Sequence, residues 1–300
     1  MNLIVVLLIL LSAFLHVTWN LIGKSIAPSG AFFLIASIAS AVIISPAAIL
    51  IGPDFGVLGE LWIYLVLAGF FQAVYYTGLG NAYRHGDMSL AYPIARSLPV
   101  LFILLISIIF GGAVIPVQAV SGMIMVTSGC IILPIRRFRE FSFRAYMKSN
   151  ILFILQAAIG TSAYTIIDSA GMKLLHSSIE GRSSGMWGNS VFYIAFETMA
   201  TAVFLLVYTA GRSRERKLFK NLLRKDLLYT ISAGFIITLA YGIILTAYPL
   251  AENVSFVAAF RQISIPLGAL AGIIFLKERK TTPKLIGTII IFAGLLFVYV

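Results

Sequence analysis

Long apolar runs, separated by short polar connections, set the pattern of this chain from Leu3 to its last residues. A bilayer core about 30 Å thick needs roughly 20 helical residues per crossing, and ten runs meet that need. They lie approximately at 3–23, 31–52, 61–82, 88–110, 116–135, 150–171, 187–210, 228–249, 253–276 and 283–300. Each is continuously apolar, without the alternation of a barrel strand, so the pattern predicts an all-α polytopic membrane protein of ten transmembrane helices. Met1 to Leu15 resembles a secretory h-region, but no Lys or Arg precedes it and apolar sequence continues to Gly23, so it reads as a retained first span.

Local chemistry explains the breaks. Pro28-Ser29-Gly30 and Gly52-Pro53-Asp54 turn the chain, while Gly111-Gly112 and Pro116 divide an overlong charge-free stretch. The two longest connections before the sixth and eighth spans, 135–148 and 212–226, are strongly basic and too short for an extramembrane domain. The stretch from Gly171 to Gly185 reads as a flexible surface loop, ahead of an outer gate.

Composition agrees: 60% of residues are hydrophobic and 11% charged, too few charges to clothe a soluble domain. The net charge of +11 falls in clusters between apolar runs, with neither a basic helix nor an aromatic-interleaved patch expected, which argues against nucleic acid. Eighteen of the 22 basic residues lie in odd-numbered connections, among them Lys24, Arg84, Arg136, Arg212 and Lys277. The positive-inside rule then puts odd connections in the cytoplasm and both termini outside. The same clusters suit contact with anionic headgroups. Cys130, the one cysteine, excludes an internal disulfide and a cysteine-based metal site, and no other motif points to a metal or cofactor.

An internal repeat carries the functional reading. Subtracting 165 pairs Gly234 with Gly69, Tyr241 with Tyr76, Tyr248 with Tyr83 and Arg261 with Arg96 without a gap, and continues to Gly287 with Gly122 and Gly294 with Gly129. Chance apolar similarity would not keep the arginines in register. Five spans per half is an odd number, so residues 1–140 and 141–300 read as two inverted five-helix repeats forming one integral unit, with a solute held near the midplane between them.

Charges and helix breakers should mark that place. In the fourth span Pro93 and Pro99 flank Arg96 and free the carbonyls of Ser89 and Ala95, predicting a kinked helix. Pro266 follows Arg261 in the ninth as a weaker version of the same device. Both arginines lie roughly 13 Å from the acidic residues Asp87 and Glu252 that precede their helices. A charge at that depth costs about 2.5–3.5 kcal/mol even on insertion scales, so Arg96, Arg261, Asp168 and Glu197 should face protein or water. The arginines suit either static ion pairs or a forked grip on a substrate carboxylate or phosphate. Proton coupling needs a group that changes protonation, and Glu197 is the favoured candidate, ahead of Asp168, which is expected to pair with Arg261 or Lys173. His16, Trp19, Asn20, Tyr76, Tyr92, Tyr164 and Tyr241 are candidates to line the cavity, although packing is the default for most aromatic residues here. Gly122, Gly129, Gly287 and Gly294 suggest close helix contact as scaffold or as the seam of a homodimer.

The string Ala82-Tyr83-Arg84-His85-Gly86-Asp87-Met88-Ser89-Leu90-Ala91-Tyr92-Pro93-Ile94-Ala95-Arg96 resembles a signature of EamA-type transporters in the drug/metabolite transporter superfamily. His16-Val17-Thr18-Trp19-Asn20 with Lys24, Ala163-Tyr164-Thr165-Ile166-Ile167-Asp168, and Leu276-Lys277-Glu278-Arg279 resemble its other motifs. The resemblance covers essentially the whole chain. It implies a bacterial inner-membrane carrier that exports small metabolites such as amino acids. The family's usual Gly-Glu after the fourth span is here Gly111-Gly112, without the acid. The alternatives are a translocator of lipid or lipid-linked sugar on the same scaffold, and a membrane enzyme or assembly factor. The scattered His16, His85 and His176, and the lack of a nucleophile motif or phosphate loop, argue against an enzyme.

Overall fold

The computed structural model describes residues 2–23, 28–85, 88–110, 114–135, 137–140, 151–275 and 280–299. All the regular structure among them is helical. In chain order the α-helices are α1 (Leu3–Gly23), α2 (Gly30–Ile51), α3 (Leu58–His85), α4 (Met88–Ile109), α5 (Val117–Ile132), α6 (Ile151–Ser177), α7 (Ile179–Ala210), α8 (Ser213–Lys225), α9 (Leu227–Ala247), α10 (Val254–Phe260), α11 (Ser264–Phe275) and α12 (Thr282–Tyr299). Seven helical segments are long and apolar enough to cross a membrane: Gly30–Ile51, Phe55–His85, Ile151–Ser177, Arg182–Ala210, Leu227–Ala247, Val254–Ile274 and Thr282–Tyr299. Leu3–Thr18, Pro93–Ile109 and Val117–Ile132 are shorter apolar helices. The chain is therefore a multi-pass α-helical membrane protein. Large apolar side chains such as Leu50, Val207 and Leu228 point outward, as a lipid solvent requires.

Glycines set the close contacts, and those contacts fix helix directions. A Cβ on Gly122 would meet the carbonyl of Gly294 at 2.5 Å, and one on Gly129 the carbonyl of Gly287 at 2.8 Å, so α5 and α12 cross antiparallel with backbones touching. The four glycines thus pack on each other within one chain, as their scaffold reading expects. Gly30 at the start of α2 lies against Tyr208 near the end of α7, and the Ile51 carbonyl against Gly188 near its start, so this pair is antiparallel too. Gly78 meets Ala157 while Gly160 meets Tyr75, packing α3 on α6. Gly69 packs on Ala200 of α7, and its repeat partner Gly234 packs on Ala36 of α2. The main packed pairs come in matched sets: α3 with α6 and α9 with α1, α3 with α7 and α9 with α2.

Three local expectations change. First, α4 runs as unbroken α-helix through Pro93 and Pro99, whereas the ninth apolar run breaks into α10, a 3₁₀ turn at Arg261–Ile263, and α11. The stronger interruption is therefore in the second half, and it falls on Arg261 itself rather than near Pro266. Second, 171–185 is not a loop: α6 continues to Ser177 and α7 begins at Ile179, bending at Gly185, whose φ of 71° suits a residue without a Cβ. Third, most of the basic connection 212–226 is the amphipathic helix α8.

The connections sort to two ends. Pro28 and Ser29 lie against Gly80, His85 stacks on Phe153 with centroids 5.1 Å apart, and α8 packs against α2. At the opposite ends of these helices, Phe55 packs edge-on against Phe192 and Phe196. Among the described residues, the helix ends beside the first, third, fifth and seventh connections thus group together, apart from those beside the second and sixth.

Candidate functional site

The 3₁₀ turn of the ninth apolar run shapes the centre of the molecule. Tightening the chain there leaves the Arg261 carbonyl open to partners beyond the usual helical one. It accepts from the Ser264 backbone and from Ser264 Oγ at 2.9 Å, and Arg96 Nη2 reaches it at 3.5 Å. Arg96 Nη2 also donates to Ser264 Oγ at 3.2 Å. The two arginines matched by the repeat therefore meet, with exposures of 5% and 7%.

Arg261 turns to the aromatic residues. Its Nη1 donates to the Tyr248 hydroxyl at 3.4 Å, and its guanidinium carbon lies 5.2 Å from the centroid of the Tyr241 ring. The Tyr241 hydroxyl donates to Asp168 Oδ2, and the Tyr193 hydroxyl donates to Asp168 Oδ1 at 3.2 Å. Asp168 thus takes two tyrosine hydroxyls in place of the expected Arg261 or Lys173, and Lys173 is exposed. Tyr241 joins the carboxylate to the guanidinium, with hydroxyl on one and ring toward the other.

A small cavity opens beside this junction, lined by Arg96, Pro99, Thr161, Tyr164, Thr165 and Arg261, with Tyr75, Ile103, Ala258 and Gln262 completing its wall. Several buried polar atoms of the lining have no hydrogen-bond partner among the described residues: Thr161 Oγ1, Thr165 Oγ1, Gln262 Oε1 and Arg261 Nε. Each such group costs about 1–3 kcal/mol when left unsatisfied, and four of them converge on this one water-sized cavity. Three of the four can donate, and two guanidiniums add positive charge beside them.

Glu197, four residues after Tyr193 on α7, is fully buried, and neither carboxyl oxygen has a hydrogen-bond partner among the described residues. It interacts electrostatically with Asp168 and Arg261. One turn on, Thr201 Oγ1 donates to Gln72 Oε1 at 2.8 Å, fixing α7 against α3 beside it.

Of the other sequence candidates, Tyr164 lines the cavity and packs edge-on against Tyr241 at 5.5 Å. His16 is buried within electrostatic reach of both arginines. Tyr76 stacks on Phe33 at 4.1 Å and touches Tyr75, one shell behind the cavity wall. The side chains of Trp19, Asn20 and Tyr92, and the whole of Leu276-Lys277-Glu278-Arg279, fall outside the described residues. Tyr193, Tyr248, Ser264, Gln262, Thr161 and Thr165 were missed. Tyr248 was marked by its repeat partner Tyr83, and Tyr193 by its one-turn spacing from Glu197, but the threonines carry no signal in one sequence.

No family model matches this chain, and no curated protein matches it. A solved structure described only as "Crystal structure of protein" is similar over 98% of this chain and 95% of its own, with a TM-score of 0.70 at 16% identity. That likeness establishes a shared fold and nothing about activity.

Proposed function

We propose that this chain is a secondary transporter of the drug/metabolite type. Ten spans form two inverted five-helix halves that alternately expose a small solute bearing a carboxylate or phosphate. The observation that carries this reading is the meeting of repeat-matched Arg96 and Arg261 beside a cavity where Thr161 Oγ1, Thr165 Oγ1, Gln262 Oε1 and Arg261 Nε lack hydrogen-bond partners among the described residues. Antiparallel packing of the counterpart helices α2 with α7 and α5 with α12, and the matched contact pairs, support inversion. Two such halves can rock between packings of similar energy around a site at their joint. The anion would be held between the guanidiniums and the threonine hydroxyls, with tyrosine faces excluding water.

Glu197 is the proposed coupling group. A fully buried carboxyl without a hydrogen-bond partner among the described residues is retained at a stability cost, which is expected where it exchanges a proton during the cycle. The bacterial inner membrane, outward efflux and outward-facing termini follow from the resemblance and from the basic odd connections.

The test is a metabolite screen in proteoliposomes under imposed proton and sodium gradients, with Arg261→Ala alongside. Saturable movement of an anionic metabolite, lost in the variant, is expected. Transport of cationic or neutral solutes only, unaffected by the variant, would refute the assigned site.

A further inference from the structure

Helix α8 has a charge pattern that the transport reading leaves unused. Seven basic residues, Arg212, Arg214, Arg216, Lys217, Lys220, Arg224 and Lys225, are exposed on it or at its start. Its two acids are Glu215 and the flanking Asp226, and Glu215 is turned inward. Glu215 is 6% exposed, and its Oε2 accepts the backbone N–H of Ala31 at 2.9 Å in the first turn of α2. There it meets the positive end of a helix dipole and an amide with no partner inside the helix. Leu218, Phe219 and Leu222 continue the inward stripe against the core. At 3.6 residues per turn, Lys217, Lys220 and Arg224 fall on the diametrically opposite face.

The tethers of α8 decide what that outer face meets. Only Gly211 and Arg212 separate it from α7, and only Asp226 from α9, and both neighbours contain membrane-crossing segments. The basic side chains are thereby held at the boundary of the bilayer. Exposed Val207, Leu228 and Tyr229 flank them on the lipid-facing ends of the two spans. A cationic face above an apolar, tyrosine-edged rim fits a phospholipid with an anionic headgroup, whose phosphate takes the charge and whose chains cover the rim.

We propose that the outer face of α8 is a binding surface for anionic phospholipid headgroups, and that this binding holds the inward face, and with it the Glu215 cap on α2, in place. One three-turn helix joins the two events because its lipid face and its capping face are opposite sides of the same rod. The α2 end that Glu215 caps also packs on Tyr208 of α7, and the Tyr208 hydroxyl accepts from Asn81 at 3.0 Å, so the cap sits where α2, α3 and α7 converge. Membrane charge would thus steady one end of the helix pair that must part if the bundle opens on that side.

The experiment uses the full-length protein in two formats. In detergent, its unfolding midpoint is followed while short-chain phosphatidylglycerol, short-chain phosphatidylcholine or inorganic phosphate is added. Phosphatidylglycerol alone should raise the midpoint, and a K217Q/K220Q/R224Q variant should need roughly five-fold more lipid per residue neutralised. An equal response to phosphatidylcholine or to inorganic phosphate, or an unchanged lipid requirement in the variant, overturns the binding surface. In nanodiscs, hydrogen exchange of the segment containing Ala31 should slow when phosphatidylglycerol replaces phosphatidylcholine, and Glu215→Ala should remove that difference. Exchange at Ala31 that ignores lipid charge overturns the link between surface and cap. All three variant positions are exposed, so loss of folding does not mimic the expected result.

Discussion

Arg96 and Arg261 occupy equivalent places in the two halves, yet their surroundings differ. Arg96 sits in unbroken helix and is tied to protein across the junction, to Ser264 and to the Arg261 carbonyl. Arg261 sits at the break, turns to Tyr248 and Tyr241, and keeps one buried N–H without a partner among the described residues. The repeat position that supplies Ser264 in the second half supplies Pro99 in the first, so Arg261 cannot be held as Arg96 is. The acids are also one-sided: Asp168 and Glu197 lie on α6 and α7, whereas α1 and α2 contain none. The matched glycine contacts and the two cations are common to both parts of the chain, whereas the buried carboxyls among the described residues lie in the second.

If that division is right, matched substitutions should act unequally at the arginines and equally in the frame. The largest effect is expected for Arg261→Ala, which removes the guanidinium whose Nε lacks a hydrogen-bond partner among the described residues and should weaken binding of the transported anion at least about 30-fold by equilibrium binding. Arg96→Ala should weaken it less, and Arg96→Lys less again, because lysine keeps the charge and loses only the fork. Equal losses at the two sites would erase the proposed asymmetry. Next comes Glu197→Gln, expected to remove the dependence of flux on a proton gradient while leaving membrane insertion intact. Reconstituted vesicles in which the gradient still drives that variant would clear Glu197 of the role.

The frame should behave differently. Gly129→Ala and Gly294→Ala each push a methyl onto the backbone of the facing helix, at 2.8 Å and 2.7 Å from a glycine carbonyl. Each should cost about 1–3 kcal/mol, and the two should match within error in an unfolding series. A clear difference would mean that the glycine seam is not the two-sided contact described. The smallest effect is Ser264→Ala, worth about 1 kcal/mol through its lost hydrogen bonds. Part of it runs through Arg96 and part through the Oγ bond to the Arg261 carbonyl, so in a double-mutant cycle its cost should shrink but not vanish in an Arg96→Ala background.

Much of this architecture was legible because lipid punishes charge. The edges of the apolar runs matched helix ends within a few residues, except where α6 extends to Ser177 and α7 begins as early as Ile179. Arg96, Arg261, Asp168 and Glu197 stood out for the same reason, and all four are buried. Partners were harder to read, because pairing depends on rotations about helix axes that a sequence does not state. Opposite charge suggested Arg261 for Asp168, but geometry supplied two tyrosines. Position of the break also misled: two prolines looked stronger than one, yet α4 tolerates both, and the 3₁₀ turn falls where Ser264 and Arg96 satisfy the released carbonyl. Helix α8 was hidden because the connection was read for its charge. The spacing of Glu215, Leu218, Phe219 and Leu222 shows the stripe once the period is counted.

The central claim is that one cavity between two inverted halves opens first to one side of the membrane and then to the other. Its most direct test places a single cysteine on the cavity wall, Thr165→Cys in a Cys130→Ala background, and labels it in oriented vesicles with an impermeant thiol reagent applied from each side. Labelling from both sides, with reaction from one side suppressed when a trapped ligand or a crosslink holds the other open, is the expected result. Labelling from one side only, under every gradient and solute applied, would contradict alternating access.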